Sequence, residues 1–240
     1  MTVAKARRCA ALRGYLLRRH RLPVAGGLLS IIAPDLRSRP LIQQATRRAA
    51  IGEEPPYWAQ IWPASVGLAR WLCRRDLGGI RVLDLGCGIG VAAAAAARSR
   101  ASVLACDVDE SAVQFSAFNL AANDMGPGSS ARRHNWHEEA PGESFDLLLL
   151  ADVTYRPRHH RAIQRHVESC LAKGGVALHV DPYRRESDGF LAASRRGFAI
   201  RESAESAFVG GERVPLRFCL IASDEADISR WEVRRREVRE

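Results

Sequence analysis

The run VLDLGCGIG, Val82 to Gly90, constrains this chain more than any other stretch. A short strand pattern leads into three glycines at alternate positions, Gly86, Gly88 and Gly90. Glycine is favoured where the backbone turns with positive φ or where another group comes close to it. A strand that ends in such a turn and continues as the alanine-rich helix VAAAAAA opens a parallel βαβ unit. Three loop templates compete. A phosphate P-loop needs G-x-x-x-x-G-K-[ST], and no lysine follows these glycines. The dinucleotide fingerprint puts its third glycine at position 91, which here is Val91. The remaining G-x-G-x-G turn is tighter and leaves room for a nucleoside with a zwitterionic amino-acid tail. Asp84, just before the turn, discourages a diphosphate and suits an ammonium group.

The second element is ACDVDESAV. Asp107 ends a strand about 20 residues after the loop, where a carboxylate accepts both ribose hydroxyls. Val108 beside it packs on an adenine face. Asp109 and Glu110 open the next helix, where acids are favoured, and Asp109 reads as its cap. Strands and helices then alternate. Strands are expected at 81–85, 102–106, SARRHNW, FDLLLLAD and VALHVDP, with helices at 91–99, 110–123 and 159–171. Lys173-Gly174-Gly175 reads as the cap of that last helix. FAIRESA and VPLRFCLIAS read as two final strands joined at Gly210-Gly211. The expected fold is α/β, a doubly wound and mostly parallel sheet.

Upstream, residues 1–54 read as a basic and mostly helical extension, with Leu12, Tyr15, Leu16 and Leu17 on one helix face. Residues 55–224 read as the catalytic domain and 225–240 as a charged tail. Pro55-Pro56 forces an extended link, and the following helix starts near Pro63 and buries Trp71. Trp58 fits either core or site.

The chain of 240 residues is 47% apolar, and no run approaches the roughly 20 residues needed to span a bilayer. A membrane protein is disfavoured. The net charge is +9, with seven Lys or Arg and no acid between Met1 and Pro34. That start reads as a solvated face ahead of a nucleic-acid arm or a transit peptide. The lack of a basic patch interleaved with aromatics disfavours nucleic acid. No two of the six cysteines have C-x-x-C spacing, which argues against zinc and for reduced thiols in a cytoplasmic protein, or a mitochondrial one if the start is a transit peptide. His159 and His160 are adjacent on a helix, make a poor chelate and read as surface. His134, His137 and His179 lack partners at ligand spacing.

VLDLGCGIG together with ACDVDESAV resembles the first two motifs of class I S-adenosylmethionine-dependent methyltransferases. The resemblance spans roughly residues 55–223. It implies a seven-stranded sheet whose final hairpin carries the antiparallel strand, and S-adenosylmethionine as cofactor. PPYWAQIWPASVGLARWL is similar to the segment before the fold in lysine methyltransferases of the electron-transfer flavoprotein β-subunit. By that resemblance Trp62 lies against the cofactor, and Asn135 and Trp136 of HNW flank the adenine. ADVTY resembles the acidic-x-x-aromatic motif after the fourth strand, which implies Asp152 and Tyr155 as active-site residues, Asp152 also at the cofactor's edge. VDPYR is similar to a Gly-Asp-Pro run, with Val180 in place of the glycine. The implied cofactor set is Trp62, Asp84, Gly86, Cys87, Gly88, Gly90, Asp107, Val108, Asn135, Trp136 and Asp152.

The expected function is methyl transfer to nitrogen, on a lysine of a protein substrate such as the electron-transfer flavoprotein β-subunit. Asp152-Val153-Thr154-Tyr155 departs from the Asn/Asp-Pro-Pro-Tyr loop of enzymes acting on glutamine and adenine. Two alternatives stay open. One is a small-molecule methyltransferase with the basic N-terminal segment as a lid. The other is a binding module that keeps the cofactor pocket without catalysis.

Overall fold

The computed structural model describes residues 6, 9, 12–123 and 128–233. Strand β1 (Leu17–Val24) pairs antiparallel with β2 (Gly27–Pro34), turning at Ala25-Gly26. Helix α1 (Arg39–Ala50) follows, then a single 3-10 turn at Tyr57–Ala59 and helix α2 (Pro63–Cys73). The alternating part runs β3 (Arg81–Leu85), α3 (Val91–Arg98), β4 (Ser102–Asp107), α4 (Glu110–Ala122), β5 (Ser130–Arg133), β6 (Phe145–Ala151), α5 (Pro157–Cys170), β7 (Leu171–Asp181) and α6 (Arg185–Ser194). Strands β8 (Ala199–Val209) and β9 (Glu212–Ala222) form the closing hairpin, and α7 (Glu225–Val233) packs after it.

The seven-stranded sheet has the order β5-β4-β3-β6-β7-β9-β8, and β9 alone runs antiparallel to its neighbours. Alternation of hydrophobic strands and helices covers both faces, so β3 and β6 read as almost continuous apolar runs. Helix α3 is buried from Val91 to Ala97. Its alanines let α2 and α4 approach closely, and Cys73 Sγ reaches the Ala95 carbonyl at 3.9 Å. A larger side chain there overpacks the layer at about 1–3 kcal/mol.

Three expectations fail. The described part of the first 50 residues is not mostly helical: 17–34 is a β-hairpin and only α1 is helical. Val24-Ala25-Gly26-Gly27 is a hairpin turn signal, and Leu29, Ile31 and Ile32 supply buried β-formers behind it. The hairpin is held against α4, where Asn119 bonds both backbone groups of Ile32 (2.8 and 2.9 Å) and Asn123 bonds those of Ser30. Lys173-Gly174-Gly175 caps nothing, because α5 stops at Cys170 and Leu171 is already extended. The glycines accommodate a register shift in which Phe145 faces Leu171 while Leu147 faces Val176. The first turns of the charged tail form α7, which buries Ile228 and Trp231 and sends the Trp231 indole N–H to the Gly174 carbonyl; residues 234–240 of the expected tail lie outside the described residues. No helix among the described residues is long and apolar enough to cross a membrane.

Candidate active site

From β3 the sheet grows outwards to β4 and β5, and from β6 it grows the other way to β7. The carboxyl ends of β3 and β6 therefore flank a topological switch point, where open α/β sheets leave a crevice for ligands. A cavity of about 770 Å³ opens there, within the range of small-molecule sites.

The half over β3 and β4 holds Asp84, Gly86, Cys87, Gly88, Asp107 and Val108, all lining the cavity. Gly86 turns with φ +76°, and a Cβ on it would lie 2.7 Å from Val153 Cγ1 and 3.1 Å from the Trp136 ring. Only glycine fits that turn. Gly90 does not line the cavity: a Cβ there would strike Ser116 of α4, so its task is helix packing. Asp84 accepts the Ala93 N–H at 3.0 Å through Oδ2, while its buried Oδ1 has no hydrogen-bond partner among the described residues. Burial pushes its carboxyl up to about 7, with the nearby Asp107 charge adding to the shift. Asp107 accepts the N–H groups of Gly88 (2.9 Å) and Asp109 (3.0 Å), and burial raises it to about 6. Asp109 caps α4 by accepting the Ser111 N–H at 2.9 Å, and Arg48 and Gln44 of α1 hold its other oxygen. The Cys87 thiol is raised well above its ordinary value by burial.

The half over β6 and β7 is built from side chains far apart in sequence. Asp152 adopts φ +56°, a strained conformation for a non-glycine residue. Its N–H bonds the Val180 carbonyl at 2.8 Å, which fixes the strain at the sheet edge. Its carboxylate carries a bidentate Arg184 guanidinium, Nε to Oδ1 at 2.5 Å and Nη2 to Oδ2 at 2.7 Å. Burial raises the Asp152 carboxyl, and Arg184 opposes that rise. The Tyr155 hydroxyl donates to Glu54 at 2.9 Å, and Arg156 and Arg158 bond the same carboxylate. Burial, then the Glu54 contact, raises the Tyr155 hydroxyl above its ordinary value. Trp62, Tyr57 and Tyr155 meet edge to face, with ring centroids 5.8 and 6.0 Å apart, and the Trp62 indole donates to the Tyr57 carbonyl. Asn135 and Trp136 close the far wall, where the Trp136 indole stands 3.4 Å from His159 Nδ1.

Thus eleven of the twelve sequence-chosen residues line one cavity, and Gly90 stands behind it. The reading of His159 as surface is corrected, because it faces Trp136 and Tyr155. The unassigned histidines have partners. His137 Nε2 meets His159 Nδ1 at 2.8 Å, His134 Nε2 meets His166 Nε2 at 2.7 Å, and His179 shares a buried hydrogen bond with Thr154. Trp58 is both core and site: it is buried against Phe115, lines the cavity and donates to Gln44. Sequence reasoning missed Glu54, Tyr57 and Arg184. Glu54-Pro55-Pro56-Tyr57 was visible as the stiff entry to the Trp62 segment, and Arg184 as the cation next in line after Asp-Pro-Tyr. Among the described residues no group of three metal-ligating side chains comes together.

A sheet in this order, with a glycine turn and a strand-end carboxylate side by side at its carboxyl edge, defines the class I methyltransferase fold. Solved structures agree on the fold. A TehB-like S-adenosylmethionine-dependent methyltransferase from Corynebacterium glutamicum superposes with a TM-score of 0.51 at 18% identity, covering 76% of this chain and 96% of that one. Magnesium protoporphyrin IX methyltransferase from Synechocystis, solved with the cofactor bound, gives 0.51 at 18%, covering 66% and 78%. The chain belongs to the lysine methyltransferase family, whose profile matches residues 50–193. It is also 34% identical over 135 residues to the electron transfer flavoprotein beta subunit lysine methyltransferase of Danio rerio, covering 55% of this chain. The chain spans about half the length of that relative, 52%.

Proposed function

We propose that this chain transfers a methyl group from S-adenosylmethionine to the ε-amino group of a lysine in a protein. The observation that carries the reading is a single cavity holding two kinds of carboxylate, with Asp84 and Asp107 free of cations among the described residues in one half and Asp152 already paired with a cation in the other.

The cation-free half fits the cofactor. Asp84 Oδ1, buried and unpartnered, supplies the missing acceptor for an ammonium group. The Gly86 turn brings backbone within reach of an amino-acid tail. Asp107 spends its hydrogen bonds on backbone N–H groups alone and retains lone pairs for the ribose hydroxyls. Val108 and Trp136 are the apolar walls for an adenine, and Trp62 stands towards the reacting end. When bound, the cofactor supplies a methyl already activated by a sulfonium.

The protein's own work is then alignment. A lysine amine has an ordinary pKa of about 10.4 and must lose its proton to act. The aromatic faces of Tyr57, Trp62 and Tyr155 favour a cation over bulk water, and Asp152 orients the nitrogen. We assign Asp152 and Tyr155 as the residues that touch the acceptor. By likeness to the zebrafish relative, the electron-transfer flavoprotein β-subunit is the first substrate to try.

Tritiated-methyl transfer into a cell extract tests this. Label in a discrete protein band, removable with its lysine peptide, is the expected result. Label confined to the small-molecule fraction sinks it.

A further inference from the structure

Asp152 is strained into the cavity wall, yet its carboxylate is not open to a substrate. Its side chain is only 4% exposed, whereas that of Arg184 is 33% exposed. The guanidinium therefore comes from the solvent side and covers the carboxylate. The backbone of Arg184 is held in place, because buried Arg217 donates to its carbonyl at 3.2 Å and Arg184 is the N-cap of α6. Only the side chain has freedom to swing. Asp181, another carboxylate whose charge acts on Arg184, is already taken by Arg217 at 2.9 Å. Glu186 is exposed and lines the same cavity.

We propose that Arg184 occupies, in the substrate-free protein, the cation position on Asp152 that the acceptor ammonium takes during turnover. The inference rests on the assignment of Asp152 to the acceptor. Arginine suits the task. It stays protonated at any ordinary pH and so fills the position without being consumed as a nucleophile. A buried carboxylate left without a cation is costly, so the exchange of one cation for another keeps Asp152 paired throughout. An uncharged acceptor cannot make that exchange. Arg184 is then a specificity-determining residue that admits cationic acceptors.

Covalent geometry supplies a direct test. In Arg184→Lys the ammonium nitrogen falls about where the arginine Cζ now lies, between the two nitrogens bonded to Asp152. If that position faces the cofactor's methyl, the variant methylates itself. The amine's lone pair forms the N–C bond as the methyl–sulfonium bond breaks, sulfur leaves as a neutral thioether, and one amine proton goes to water. Intact-mass and peptide mass spectrometry should find added methyls at position 184, at a rate independent of protein concentration. D152N in the same chain should abolish them. A second arm needs no cofactor and no turnover: calorimetry with n-butylammonium at pH 8 should show R184Q binding about tenfold more tightly than wild type. An unmodified position 184 in a protein that does methylate a lysine peptide overturns the proposal, as does equal butylammonium affinity. If wild type binds the cofactor but methylates no lysine at all, the lysine reading fails instead, and the butylammonium arm still decides the fate of Arg184.

Discussion

The two halves of the cavity are built on opposite plans. Over β3 and β4 backbone amides hold Asp84 and Asp107, and among the described residues no cation touches either carboxylate. Over β6 and β7 three carboxylates are covered by arginines, Asp152 by Arg184, Glu54 by Arg156 and Arg158, and Asp181 by Arg217. The first half is incomplete without a cationic ligand. The second is complete and must be opened. A site that keeps one cofactor and changes acceptors gains from this division, since a rigid half binds and an exchangeable half selects.

The comparison breaks most visibly at Gly86. In Gly86→Val a β-branched residue is forced to positive φ and into Val153 and Trp136. Strain and overpacking of several kcal/mol should weaken cofactor binding by about a thousandfold in calorimetry. Asp152→Ala separates the halves. Cofactor affinity should stay within about twofold while kcat/KM for a lysine peptide falls about a hundredfold, in line with the loss of a positioned charge. A parallel loss of cofactor affinity would show that the halves are one unit.

The pH dependence sharpens the contrast. Asp84 and Asp107, raised to about 7 and about 6 by burial, stay protonated in the folded chain where an unfolded aspartate, pKa about 3.9, has already ionised. Between those values the native state binds more protons, so the stability of the cofactor-free chain should fall as pH climbs from about 4 to about 7. A cationic ligand prefers the ionised pair, so cofactor affinity should rise over the same range. Thermal melts and titrations across pH 5 to 8 check both signs, with a slope of about one proton for each of the two carboxyls. Glu54→Gln is the mildest change. It removes a charge beneath Tyr155 and two exposed arginines, and should raise KM for the acceptor a few-fold, roughly, with kcat nearly kept.

What the sequence disclosed follows the same division. Gly86, Gly88 and Asp107 lie within one βαβ unit, where spacing along the chain fixes spacing in space. Asp152 and Tyr155 were legible because a parallel strand ends just before them. Glu54 and Arg184 were not, because Glu54 is about a hundred residues from Tyr155 and Arg184 is 32 residues from Asp152. No periodicity encodes such pairs. The hairpin at 17–34 is not legible in the sequence, because its basic residues mask the alternation of β1 and the buried face of β2 is continuous with the core of α4.

The most direct measurement is a calorimetric titration of S-adenosylmethionine into the purified chain at pH 6.5, run in two buffers of different ionisation heat. Saturable binding with net release of protons is expected, because the cation draws Asp84 and Asp107 into their charged forms. No heat at millimolar ligand, or tighter binding of a nicotinamide dinucleotide, would contradict the assignment of the cavity.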